Sequence, residues 1–145
     1  MDAHDRRIIE LLTADGRAAM QTISTETGLS RSAVFNRVRR LEKTGVIRGY
    51  AAHIDRAAMG LQIHAFCNVS LKEHSAAFLK EFEAGIGAFK EVIACFHIAG
   101  SMDYHIEIQV ADMAAFHRFI SERLAAMQNI GTVHSSFVMR EVCRR

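Results

Sequence analysis

The chain has 145 residues, 50% of them apolar, with 18 Lys and Arg against 16 Asp and Glu. That length holds one ordinary domain or two small ones, and the apolar share excludes a disordered polyelectrolyte. No apolar run reaches membrane-spanning length, and residues 1–5 do not resemble a secretory leader. The expectation is a soluble, cytoplasmic protein with no membrane partner.

In chain order, Asp5 to Ala14 places Ile8, Ile9, Leu11 and Leu12 along one side of a first helix. Met20 to Thr27 forms a short second helix with Met20 and Ile23 inward, and Gly28-Leu29 turns into a cap at Ser30. From Ser30 to Lys43 a third helix ends on Gly45. Advancing about 100° per residue puts Val34, Val38 and Leu41 on a buried stripe. Ser32, Asn36, Arg39, Arg40 and Lys43 fall on the opposite side. Alone, such a helix reads equally well as a solvated basic surface. A short helix, a glycine turn and a second helix with a basic outer face instead make a helix-turn-helix, closed by the first helix into a three-helix unit.

Charge supports that reading. Residues 28–48 carry six basic side chains (Arg31, Arg37, Arg39, Arg40, Lys43, Arg48) against Glu42 alone, a net of +5. Residues 61–145 carry eight against nine, a net of −1. Basic charge confined to one element is the footprint of a polyanion partner, here double-stranded DNA. Asn36 and Arg39 lie centrally and suit base edges, since Asn can pair adenine and Arg guanine. Ser30, Ser32, Arg40 and Lys43 suit phosphates, helped by the amides of the helix N-terminus. Arg31 is off-centre. Arg37 projects beside the apolar stripe and fits either a structural brace or a phosphate contact.

After Gly45 the period changes, and Val46 to Gly60 reads as a linker strand. Residues 1–45 and 61–145 then form separate domains. The second runs strand (Ile63 to Leu71), helix (His74 to Glu83), strand (Phe89 to Ile98), strand (Asp103 to Val110), helix and strand (Thr132 to Val142). Tyr104, Ile106, Ile108 and Val110 alternate with His105, Glu107 and Gln109, the period of a half-buried strand. Asp112 caps the second helix, whose inner stripe is Phe116, Phe119, Ile120, Leu124 and Met127. This α+β order, βαββαβ, is ferredoxin-like, with both helices on one sheet face. The other face would expose Phe66, Ile93 and Cys95. Such an apolar patch favours a two-fold dimer, a monomer with a merely amphipathic face being the alternative.

Cys67, Cys95 and Cys143 are widely spaced with no CxxC, so neither a zinc cluster nor a disulfide framework is indicated. Cys67 and Cys95 read as buried reduced thiols. Eight histidines include no HxH or HxxxH pair within an element, and no metal site is expected. No cofactor is expected, and no nucleophile–base pair, carboxylate dyad or phosphate loop supports an enzyme.

Asp5-Arg6-Arg7-Ile8-Ile9 with Asp15-Gly16-Arg17, Gly28-Leu29-Ser30 with Arg37 to Glu42 and Gly45-Val46-Ile47, and Gly100-Ser101-Met102-Asp103-Tyr104 together resemble the Lrp/AsnC family of regulators. The resemblance covers nearly the whole chain. Arg31 and Ala111 stand where the family often has proline, which suits a first helical position without being required there. The resemblance implies a transcriptional regulator that binds DNA through its N-terminal helices. It also implies assembly through the C-terminal domain into dimers, and often octamers of four dimers, with a response to a small effector, commonly an amino acid.

Loop amides near Gly100 could receive a ligand's α-carboxylate, and Asp103 could pair with its ammonium or simply complete the turn. By resemblance the pocket is shared between subunits and lined by Ile98, Ala99, Gly100, Ser101, Met102, Asp103 and Tyr104, with Thr132, His134 and Ser136 from the last strand. Ser136 falls where some relatives carry tyrosine. An architectural DNA-wrapping protein, with the C-terminal domain used only for assembly, is the competing function.

Overall fold

A computed structural model describes residues 1–143. The chain divides into two compact units, Met1–Ile54 and the residues from Asp55 onward. In the first, α1 spans Ala3–Ala14, α2 Met20–Thr27 and α3 Arg31–Lys43. Asp2 caps α1 in a reciprocal box: its carboxylate accepts the Asp5 amide (2.9 Å), while the Asp5 carboxylate accepts the Asp2 amide (3.0 Å). Gly28 ends α2 with φ +69°, a left-handed conformation that a side chain resists. Two residues on, the Ser30 hydroxyl caps α3 by accepting from the Ala33 amide (3.2 Å). The three helices close over Ile8, Ile23, Val34, Val38 and Leu41, all at most 4% exposed.

The segment 46–60 forms no strand. Among the described residues it meets no backbone ladder that would satisfy an extended chain. Residues 56–60 close instead as a turn, with the Met59 amide on the Arg56 carbonyl (3.1 Å) and Gly60 on Ala57 (2.9 Å). Val46, Tyr50 and Ile54 stand about half exposed along it.

The second unit runs β1 (Ile63–Leu71), α4 (Ala76–Gly87), β2 (Val92–His97), β3 (Tyr104–Val110), α5 (Met113–Arg118) and β4 (Ile130–Phe137). The strands form one antiparallel sheet in the order β2-β3-β1-β4, the βαββαβ arrangement read from the sequence. Alternate residues Ala65, Cys67, Val69 and Leu71 of β1 and Tyr104, Ile106, Ile108 and Val110 of β3 face Phe82 and Ile86 of α4 and Phe116 of α5. After Arg118 the helix widens into π geometry over Phe119–Leu124, where the Ala125 amide reaches back to the Ile120 carbonyl (2.8 Å). The widening keeps both Phe119 and Leu124 in the core.

Several boundaries shift from the expected ones, β2 being shortened from Phe89–Ile98 to Val92–His97. The Ser75 hydroxyl caps α4 (3.4 Å to the Phe78 amide), moving its start from His74, and Ile86 extends its buried stripe to Gly87. β4 starts earlier, after Asn129 at φ +67°, and stops at Phe137 rather than Val142. The Asn129 side chain staples this start, accepting the Glu73 amide (2.8 Å) and donating to the Glu73 carbonyl (2.7 Å).

The open sheet face also differs. Val92 pairs with Ile108, but Ala94 pairs with Glu107, so β2 carries one extra residue. That bulge flips the alternation and turns Cys95, opposite Ile106, toward the helices rather than the open face. Burial pushes its thiol up to about 11, with the Glu83 carboxylate adding to the shift. The open face holds Phe66 and Phe96 among polar groups. His105 stacks on Phe66 (4.9 Å), and His64 lies 2.8 Å from the Glu107 carboxylate. β4 is bulged as well: Val69 faces Val133 while Leu71 faces Ile130.

Candidate nucleic-acid interface and effector loop

The outward face of α3 is built by its cap and its core stripe. With Val34, Val38 and Leu41 held inside, Asn36, Arg39, Arg40, Glu42 and Lys43 line one open concavity. Ser30 and Ser32 sit at the start of the helix, their hydroxyls 3.1 Å apart. Because Ser30 caps the helix, its oxygen already accepts an amide. Arg31 is exposed at the first helical position.

Arg37 is resolved as a brace. Its guanidinium donates to Asp2 (2.7 Å) and to Asp5 (2.8 Å), bolting α3 to the start of α1. Arg40, expected on a phosphate, also reaches Asp5 (2.6 Å), although 55% of its side chain stays exposed. Asp5 is 1% exposed, and a buried carboxylate must be matched by donors. Three donors surround it: the Asp2 amide, which most strongly lowers its pKa, then Arg37 and Arg40, which together with the amide outweigh desolvation. Asp2 is held down at about 2, chiefly by the Asp5 amide and then by Arg37.

Sequence reasoning passed over Asp2 and Asp5, which lie 35 and 32 positions from Arg37. It also passed over Phe35, 50% exposed beside the basic face with the Arg39 guanidinium 5.5 Å above its ring. Glu42, the one acid on this face, accepts a hydrogen bond from the Tyr50 hydroxyl (3.0 Å). An exposed aromatic inside a basic stretch was the available signal for Phe35; the Asp2/Asp5 spacing marks a helix cap, but nothing local marked Asp5 as the partner of Arg37 and Arg40.

In the second unit the loop between β2 and β3 contains Ile98, Ala99, Gly100, Ser101 and Met102, with Gly100 at φ +148°. The Ile98 amide bonds the Asp103 carbonyl (2.8 Å), and the Asp103 amide bonds Val69 (2.9 Å), docking the loop on β1. The Asp103 carboxylate is engaged within the unit. It accepts the Leu71 amide (2.7 Å) and lies 2.9 Å from His74 Nε2; the amide, then His74, hold it below its ordinary range. Of its two expected roles the structure shows the loop-anchoring one.

Tyr104 is not a lining residue. Strand alternation sends it inward at 1% exposure, with its hydroxyl donating to Glu83 (3.0 Å) and its ring stacked on His97 (4.8 Å). Met102 and Thr132 are brought together, sulfur to hydroxyl, at 4.0 Å, and Thr132 also meets the Ser70 hydroxyl (2.7 Å). His134 and Ser136 continue along the open side of β4 opposite Asn68 and Phe66.

Comparison with known proteins gives the same division of labour. Residues 1–48 match a family model described as winged helix-turn-helix DNA-binding, and residues 64–145 match the Lrp/AsnC ligand binding domain. The leucine-responsive regulatory protein of Rhizobium meliloti is 35% identical over 142 residues, covering 98% of this chain and 91% of that protein. The Bkd operon transcriptional regulator of Pseudomonas aeruginosa is 31% identical, covering 100% and 95%. A crystal structure of a Neisseria meningitidis transcriptional regulator in complex with L-Met superposes with a TM-score of 0.94 at 30% identity, covering 99% of this chain and 93% of that one. An AsnC family regulator from Agrobacterium tumefaciens gives 0.92 at 29% identity, with 99% and 94% covered. The basic third helix and the ferredoxin-like unit are thus the two halves of a DNA-binding transcriptional regulator, and the chain belongs to the Lrp/AsnC family.

Proposed function

We propose that Asn36 and Arg39 read base edges in the major groove while Lys43, Ser32, Arg31 and the start of α3 hold phosphates, with Arg37 fixing the angle of entry. The observation that carries this reading is the placement of Asn36, Arg39 and Lys43 on one concave face. Arg40, paired with Asp5 yet half exposed, would add a phosphate contact on the same face. Asn36→Ala or Arg39→Ala should cost about 1–3 kcal/mol on a selected site and relax base preference. Lys43→Ala should weaken all sequences alike and reduce the salt slope by about one. Anisotropy titrations at several salt concentrations measure both, and unchanged binding in all three variants would remove α3 from the interface.

The regulator responds to a free amino acid rather than catalysing a reaction, works in the cytoplasm, and needs no cofactor or metal. The L-Met bound to the meningococcal relative supports an amino acid of that kind. Its carboxylate would meet amides of residues 99–102, with Met102 and Thr132 alongside and Ile98, His134 and Ser136 at the margin. Asp103 would shape the loop without touching the ammonium. The open sheet face, with Phe96 54% exposed on β2 and Phe66 two strands away on β1, would be the surface for dimerisation, and dimers would gather into octamers. Calorimetry of the full chain with the common amino acids tests the response. No heat from any of them would favour an architectural DNA-wrapping role.

A further inference from the structure

Phe35 sits where burial does not explain it. Its neighbours Val34 and Val38 are 0% and 4% exposed, while Phe35 remains 50% exposed and outside the core of the three-helix unit. Taking Val34 as origin, Phe35 points about 100° round the helix, with Arg39 at about 140°, Lys43 at about 180° and Asn36 at about 200°. The ring therefore lies on the edge of the face that meets DNA. One turn on, Arg39 places its guanidinium 5.5 Å from the ring centroid, a cation–π contact that holds the arginine outward beside the aromatic.

A half-exposed ring on a basic helix gains little from phosphates or sugars, which the surrounding donors already serve. The major-groove edges of the bases offer one apolar group, the 5-methyl of thymine. We propose that Phe35 is a specificity-determining residue whose ring takes the methyl group of a thymine adjacent to the guanine read by Arg39. Helix neighbours four apart project side by side, so the two side chains reach adjacent base pairs, and the cation–π contact couples them. The operator would then carry thymine and guanine next to each other in each half-site. This inference rests on α3 being the reading helix.

The test begins with duplexes selected from a random pool by the full-length protein. Each thymine of the selected site is then replaced by deoxyuridine, which removes the methyl and keeps every hydrogen bond. At one thymine next to a guanine, the wild-type protein should bind uracil about four-fold more weakly, the value of one buried methyl. Phe35→Ala should lose that difference and Phe35→Tyr, which keeps the ring, should retain it. Both variants should keep the wild-type helical circular dichroism, since the side chain lies outside the core. Equal uracil sensitivity in the wild type and Phe35→Ala overturns the proposal, as does a site with no methyl-sensitive thymine. A uniform loss of affinity on both duplexes in Phe35→Ala also overturns it, reducing Phe35 to a support for Arg39. A protein that enriches no sequence at all overturns the α3 reading as well, which separates the two failures.

Discussion

Replacing Asp5 by Asn removes one charge from a site where two arginines converge and leaves the shape almost unchanged. Breaking a fully buried ion pair from one side costs about 3–5 kcal/mol, because the abandoned charge cannot reach water. Here the Arg37 and Arg40 side chains are 24% and 55% exposed and can rehydrate, which brings the expected cost to about 2 kcal/mol. Native-state hydrogen exchange at the amides of Ile8 and Val38 isolates the first unit from the second. A loss of about 2 kcal/mol accelerates their exchange roughly 30-fold. The difference should depend on pH with a definite sign. Asp5 titrates below its ordinary value, so its contribution is complete above the ordinary carboxylate range and drains away as pH falls through the lowered pKa. The wild type and variant should therefore differ fully at pH 6 and converge below pH about 4. Exchange within three-fold of the wild type at pH 6 would refute the idea that Asp5 braces α3.

In the second unit, Asp103→Ala strands the amide of Leu71, itself 5% exposed, and should cost about 2 kcal/mol in urea unfolding. Asp103→Asn keeps an acceptor there and should lose about half as much; equal losses would mean that charge rather than the turn bond matters. Two glycines should respond with opposite sign to alanine. A Cβ at Gly131 would lie 3.0 Å from the Ser70 carbonyl and 2.8 Å from its hydroxyl, so thermal melts should show destabilisation of about 1–3 kcal/mol. At Gly85, inside α4, the new methyl meets only the flexible end of Met127 (2.8 Å), and helix propensity should give a net gain of about 0.5 kcal/mol.

The periodic parts of the chain were readable because periodicity is local. The stripe Val34, Val38, Leu41 and the alternation from Tyr104 to Val110 emerge in the structure with the faces expected of them. What escaped was set by contacts between distant residues. The bulge that turns Cys95 inward depends on how β2 registers against β3, which no window of one strand reveals. Arg37 could have gone to a phosphate or a brace until Asp5, 32 residues earlier in the chain, came beside it. Asp103 read as a ligand or a turn residue, and its bond to the Leu71 amide, 32 positions earlier in the chain, has no local signature. Residues 46–60 had strand-like alternation without a neighbouring strand, and alternation alone supplies no hydrogen bonds.

Both outer strands of the sheet, β2 and β4, carry the extra residue of a bulge. An outer strand otherwise presents a regular row of amides and carbonyls on which another chain can build. An inserted residue breaks the spacing of that row and sharpens its twist. The sheet is thus blunted at both margins against open-ended strand addition, so that neither outer strand offers a regular template to an extended chain.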